Sequence, residues 1–269
     1  MRRRIFQAGS AVVKSVDRNL GIIHITPQVR SKRGWPCWWY LKVDGAKEGQ
    51  PVTLSLTAAD GEFRRGRVLS ADWSQPDRAA ISADNVTWTQ TPKCQKANGT
   101  ATYSIEAPAE SFWMAWGPPF LPSHADVVLK SIKSRLPDAT VFELARTRGG
   151  RSVRGIRIGG NADSGSPGHG VWVQARQHAW EAGASWVGRG FIEWLASDDP
   201  SAVNLRRVAT VYYVPIMDVD NAAVGAGGKD AVPRDHNRDW DDKPHYPEVA
   251  AAGHGTDKNR AVFATVHRL

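Results

Sequence analysis

His178 and Glu181 stand three residues apart in the stretch Gln174-Ala175-Arg176-Gln177-His178-Ala179-Trp180-Glu181, directly behind an apolar run that reads as a strand. A neutral imidazole and a carboxylate at that spacing can converge on one zinc ion, and a site of two histidines and one glutamate leaves a fourth position for water. Taken alone, the pair describes a surface contact more often than a metal site. Further along, Asn237 and Arg238 adjoin in Asp235-His236-Asn237-Arg238-Asp239-Trp240. A guanidinium presents parallel donors to a planar carboxylate, and a neighbouring amide adds another, so the dipeptide suits a carboxylate grip. In isolation it more often describes a loop cap with a surface ion pair. Two other chemistries are excluded by spacing. The run Gly225-Ala226-Gly227-Gly228-Lys229 is followed by Asp230 where a phosphate-binding loop needs Ser or Thr, and Ser164 and Ser166 lie outside any G-x-S-x-G turn.

The elements that would position these residues fall into two kinds. Up to about residue 116 the chain reads as short β segments broken by Gly, Asp, Asn and Pro, for example Gly21-Ile22-Ile23-His24-Ile25 and Val52-Thr53-Leu54-Ser55-Leu56. In the second of these, Val52, Leu54 and Leu56 alternate with polar neighbours, as on a strand with one face in a core. The spacing predicts an all-β sandwich over residues 1–118. The proline-rich run 117–122 marks a boundary. Beyond it Ser123 reads as a helix cap, and Val128, Ile132 and Leu136 form an i, i+4, i+8 stripe that Pro137 ends. Apolar strands at 141–145, 153–158, 171–175 and 208–215 then alternate with helical stretches, one of them over 185–195. That alternation predicts an α/β domain over residues 119–269, with helices on the faces of a sheet. His178 falls where a strand ends and a loop begins, the usual place for a site in such domains.

Composition narrows the function classes. The 35 Lys and Arg against 27 Asp and Glu leave a net charge of +8, but the excess is scattered, with no basic helix and no nucleic-acid motif. No partner nucleic acid is expected, and an acidic peptide is compatible with the charge. No apolar run is long enough to cross a bilayer, and the charged start Met1-Arg2-Arg3-Arg4 lacks the apolar stretch of a secretion signal, so a cytoplasmic location is expected. The two cysteines, Cys37 and Cys94, make no C-x-x-C pair and read as reduced and structural. His124 and His169 read as surface or capping residues.

Taken in order, Ala175-Arg176-Gln177-His178-Ala179-Trp180-Glu181, the strand ending in Pro215-Ile216-Met217-Asp218-Val219-Asp220, Gly227-Gly228-Lys229-Asp230 and Asp235-His236-Asn237-Arg238-Asp239-Trp240 resemble the zinc metallocarboxypeptidases. The likeness is to bacterial relatives of the cytosolic carboxypeptidases, and it runs from about residue 7 to about 250. It implies zinc held by His178 and Glu181, and a substrate C-terminal carboxylate held by Asn237 and Arg238. It also implies a β-sandwich ahead of the catalytic domain, to which Trp38-Trp39-Tyr40 and Trp116-Gly117-Pro118-Pro119-Phe120 fit. Where relatives carry an arginine that polarises the scissile carbonyl, Lys229 stands nearby and would face the developing oxyanion as a point charge. For the third zinc ligand the resemblance offers His267, at the end of Phe263-Ala264-Thr265-Val266-His267. The glutamate that serves the family as general base has no counterpart.

The stretch after Val249 does not read as a helix leading to a core strand, which predicts a catalytic domain incomplete at its C-terminus, through truncation or a frame shift. Two alternatives to an active carboxypeptidase are therefore expected to compete with it: a non-catalytic module that binds a peptide, and a remnant of such an enzyme. Kinship with the cytosolic branch points to polyglutamate tails as substrate. Oligomeric state is not legible.

Overall fold

The structure, a computed structural model, describes residues 6–160, 169–259 and 262–266. Two compact units divide the chain. The first gathers everything described up to Pro119 together with the later segment Ala223–Val232, and the second holds Phe120–Ala222 and the chain from Pro233 onward.

Nine strands build the first unit: β1 (Ala11–Asp17), β2 (Ile22–Pro27), β3 (Tyr40–Asp44), β4 (Pro51–Leu56), β5 (Ala80–Ser82), β6 (Thr89–Gln90), β7 (Gln95–Ala97), β8 (Thr100–Glu106) and β9 (Ser111–Ala115). They form a five-stranded sheet in the order β1-β2-β4-β8-β7 and a four-stranded sheet in the order β3-β9-β5-β6. Alternation does what the sequence predicts. Val52, Leu54 and Leu56 of β4 and Ala101, Tyr103 and Ile105 of β8 turn inward from the first sheet, and Leu41, Phe112 and Met114 turn inward from the second, into one shared core. The tight β7-β8 link uses Asn98 and Gly99, both with positive φ, which is the twist a two-residue hairpin requires. The glycine-rich run also belongs to this unit. The Trp35 amide donates to the Lys229 carbonyl at 2.9 Å, and a Cβ on Gly227 would lie 2.0 Å from the Trp35 carbonyl oxygen. Its glycines thus serve close backbone packing. Both cysteines are buried, and neither forms a disulfide among the described residues.

The second unit is an α/β fold. Its elements are α1 (Pro122–Arg135), β10 (Thr140–Arg146), β11 (Ser152–Gly159), β12 (His169–Ala175), α2 (Ala182–Leu195), α3 (Pro200–Val208), β13 (Ala209–Val214), α4 (Val219–Val224), α5 (Pro247–Asn259) and β14 (Val262–Val266). The sheet order is β10-β11-β13-β12-β14, mixed in direction: β10, β11 and β13 pair antiparallel, whereas β12 runs parallel to both β13 and β14. Val128 and Ile132 are buried as the helical stripe predicts, and Val211, Tyr213 and Val214 fill the sheet interior.

Three expectations are corrected. Helix α1 begins at Pro122 with Leu121 as its cap, and the Leu121 amide donates to His124 Nδ1 at 3.3 Å; proline opens the helix because its missing N–H is one a first turn leaves unbonded anyway. Helix α3, absent from the sequence reading, is started by Asp199, whose carboxylate accepts from the Ser201 and Ala202 amides at 2.8 and 3.2 Å. The stretch after Val249 is a helix followed by a strand. Val249 and Ala252 are buried on α5, and the β-branched run of β14 joins the sheet beside β12. Alanines and burial outweigh the low helix propensity of Gly253 and Gly255.

Gly188 of α2 faces Tyr213 of β13, and a Cβ there would sit 2.6 Å from the phenol oxygen and 2.7 Å from the ring. Gly190, two residues on, has open space around it. Gly188→Val is expected to lower unfolding stability by about 1–3 kcal/mol through overpacking, and Gly190→Ala to raise it by about 1 kcal/mol through helix propensity. Urea melts of the two variants check both signs.

Candidate functional site

Strand β12 ends at Ala175, and the next residue, Arg176, takes a positive φ of 62°. That left-handed residue breaks the strand, and its guanidinium holds the turn that follows. It donates to the Phe120 carbonyl at 2.6 Å and to the Ala179 carbonyl within the turn itself. Arg176 is fully buried, and burial pushes it down to about 10, with the carboxylates of Asp218 and Glu181 acting the other way. It therefore stays charged near neutrality. Beyond β13 the chain runs alongside the same turn: the Met217 amide donates to the Ala175 carbonyl and the Asp218 amide to the Arg176 carbonyl, each at 3.0 Å.

This framework carries His178 and Glu181, whose side chains are only 5% and 11% exposed. His178 Nδ1 lies 3.1 Å from Glu181 Oε1, and His178 Nε2 lies 3.1 Å from Asp235 Oδ1. The imidazole is thus gripped by one carboxylate on each ring nitrogen. Burial works against its charged form, but hydrogen bonds to Asp235 and Glu181, and then their charges, outweigh that and raise it to about 9. Asp235 was not among the residues singled out from the sequence. Its place three residues before Arg238 carries no signal, because an Asp before a short turn is an ordinary cap.

Asp235 also opens the three-residue helical turn His236–Arg238, where its carboxylate accepts from the Asn237 amide at 2.8 Å. Asn237 and Arg238 therefore stand two and three residues beyond a group bonded to His178. Arg238 is exposed; its guanidinium donates to the Asn237 carbonyl at 3.1 Å, and among the described residues it forms no ion pair. A second tie joins the two loops, since the Trp240 indole N–H donates to Gln177 Oε1.

The remaining candidates are Lys229 and His267. Lys229 is on the segment that clusters with the first unit, with its ammonium 5.1 Å from the centre of the Trp35 ring. His267 lies outside the described residues, one position past Val266, which pairs with Ala175 across β14 and β12. Among the described residues no three His, Cys, Asp or Glu side chains gather so as to hold a metal. A cavity of about 540 Å³ lies in the first unit and none of the candidate residues lines it.

The two candidate ligands fit zinc on geometry. Two donors bonded to one tetrahedral zinc at about 2.0–2.1 Å sit about 3.3 Å apart, close to the 3.1 Å between His178 Nδ1 and Glu181 Oε1. Asp235 on the opposite nitrogen supplies the hydrogen bond that orients a metal-bound histidine and sets its tautomer.

Comparison with known proteins gives the family. Over 232 residues the chain is 25% identical to an uncharacterized protein of Zymomonas mobilis, covering 84% of this chain and 56% of that one. Over 226 residues it is 24% identical to cytosolic carboxypeptidase 2 of Xenopus tropicalis, covering 76% of this chain and 23% of that one. It thus spans little more than half of the first relative and under a quarter of the second. The crystal structure of a metallo-carboxypeptidase from Burkholderia cenocepacia superposes with a TM-score of 0.80 at 27% identity, over 97% of this chain and 68% of that one. The zinc carboxypeptidase family model matches residues 126–266, just over half of the sequence, and the chain accordingly belongs to that family.

Proposed function

We propose that this chain is a zinc-dependent carboxypeptidase that removes residues from the C-terminus of a peptide or protein. One observation carries the reading: a buried imidazole with a carboxylate on each nitrogen is bonded to the residue that opens a turn ending in a half-buried asparagine and an exposed arginine. In this reading His178 and Glu181 hold the metal, and His267, which follows the strand parallel to β12, completes the set. Zinc supplies a Lewis acid that polarises a carbonyl and acidifies water.

The protein's own residues do the rest. Asp235 fixes the His178 ring so that Nδ1 faces the metal position. Arg238 and Asn237 take the terminal carboxylate of the substrate, Arg238 through paired N–H donors, and so set which peptide bond reaches the metal. Glu181 is held at the start of α2 by the His178–Glu181 turn, where its amide donates to the His178 carbonyl at 3.2 Å. No residue is assigned as general base, and Lys229 is left out of the reaction.

The first unit is read as a β-sandwich preceding the catalytic domain, because side chains from both its sheets meet in one core. The net charge of +8 suits an acidic C-terminus as substrate. None of the helices described is long and apolar enough to cross a membrane, and a cytoplasmic location is part of the proposal.

Three outcomes test it. Purified protein is expected to bind close to one zinc per chain by metal analysis, and His178→Ala to bind none; wild-type protein free of zinc after equilibration would overturn the reading. Because His178 without metal is raised to about 9, it is protonated at neutral pH and must lose that proton to ligate. Zinc binding at pH 7 should therefore release about one proton from it, and affinity should fall about tenfold per pH unit from pH 8 to 6. Calorimetry in buffers of different ionisation enthalpy measures both. Arg238→Ala should weaken a peptide with a free C-terminal carboxylate by about 10–100-fold, the loss of a charged hydrogen-bonded pair, and leave the C-terminal amide of the same peptide unaffected.

A further inference from the structure

We infer that His236 and Glu248 form a buried strut that positions the carboxylate-binding turn, acting on Asn237 and Arg238 without touching substrate. The inference rests on the reading of those two residues as the carboxylate grip. His236 is 1% exposed and Glu248 2%, and His236 Nε2 lies 3.1 Å from Glu248 Oε1. His236 occupies the middle of the interval that matters: Asp235 before it meets His178, and Asn237 and Arg238 follow it toward solvent. A three-residue turn of this kind has too few internal hydrogen bonds to fix its own rotation. The inward side chain of the turn is therefore what sets where the outward ones point.

The remainder of the loop is secured independently. Asp239, with no exposed surface, accepts from the His245 and Tyr246 amides at 3.0 and 2.9 Å, and the Tyr246 hydroxyl donates to the Arg234 carbonyl at 2.6 Å. The Tyr246 ring lies over the His236 ring, with centres 4.9 Å apart. Glu248 sits in the first turn of α5, where the helix favours a carboxylate. The strut is a poor device for stability alone, since His236 Nδ1 and Glu248 Oε2 are both buried without a hydrogen bond among the described residues. What a single bond between a planar ring and a carboxylate does supply is direction. It orients the turn against the end of α5, and α5 is packed on β10 and β12, the strand that leads to His178.

The test separates orientation from folding. His236→Phe keeps a ring of similar size against Tyr246 and removes the hydrogen bond. His236→Gln loses the ring and keeps a donor toward Glu248. For each, the metal-free full chain is titrated with an N-acetylated peptide bearing a free C-terminus and with the same peptide amidated, and the ratio of the amide's dissociation constant to the free acid's is read, alongside a thermal melt. The ratio is expected to fall about tenfold or more in His236→Phe, and to stay within about threefold of wild type in His236→Gln. A wild-type ratio retained in folded His236→Phe overturns the strut, as does an equal loss in both variants. If His236→Phe does not fold, Glu248→Leu carries the same comparison against Glu248→Gln, with retention of the ratio in folded Glu248→Leu again overturning it. A wild-type ratio near one, by contrast, sinks the carboxylate grip itself.

Discussion

The site depends on one imidazole held between two carboxylates. His178 is buried, and a buried cation is unfavourable unless it is paired and hydrogen-bonded. Two acceptors at 3.1 Å, one on each nitrogen, reverse that preference and raise the group to about 9. The same arrangement that favours a proton suits a divalent cation, because a metal ion is a stronger positive charge placed against the same donors. Glu181 on one nitrogen can share the ion, while Asp235 on the other cannot, and the asymmetry gives the ring its orientation.

The scaffold does this with strand ends and short loops. Parallel strands β12 and β13 bring their C-terminal ends to one edge of the sheet, where α/β folds have room for chemistry. Arg176 then bends the chain out of β12 and ties the turn to the Phe120 carbonyl, so His178 sits on a loop braced from within. Asp218, continuing from β13, is fully buried beside it. Burial holds its carboxyl above the usual range, against the charge of His236 and the hydrogen bonds of Asn221. Arg176, His178, Asp218 and His236 are thus all buried polar groups of this unit, and ionisable groups are kept out of water only where partners compensate them.

Much of this was legible in the residues. Val52, Leu54 and Leu56 announced a half-buried strand, Val128 and Ile132 a helix face, and the change from period two to helical spacing near residue 120 separated the two kinds of fold. His178 and Glu181 stand out because few residue types ligate metal and their spacing lets them meet, as their 3.1 Å contact shows. Asp235 was not, since its importance comes from a contact with His178 across 57 positions of sequence. The same is true of Glu248, whose partner His236 is twelve residues away on a different element. Helix α3 was missed although Asp199-Pro200 is a sound start signal, because its residues carry little apolar periodicity. The tail was misjudged for a related reason. Two glycines obscured a helix whose described buried residues are Glu248, Val249 and Ala252, and the partner of Val262-Phe263-Ala264-Thr265-Val266 is the distant strand β12.

The claim at the centre is that the Nδ1 of His178 is a zinc ligand while its Nε2 proton is kept by Asp235. Nitrogen-15 NMR of the histidine-labelled protein, recorded before and after addition of zinc and assigned with His178→Gln, reads both nitrogens directly. The account predicts a doubly protonated ring without metal and, with zinc, a ring protonated only at Nε2 with Nδ1 shifted by coordination. A His178 signal indifferent to zinc, or one protonated at Nδ1 in the loaded protein, would contradict it.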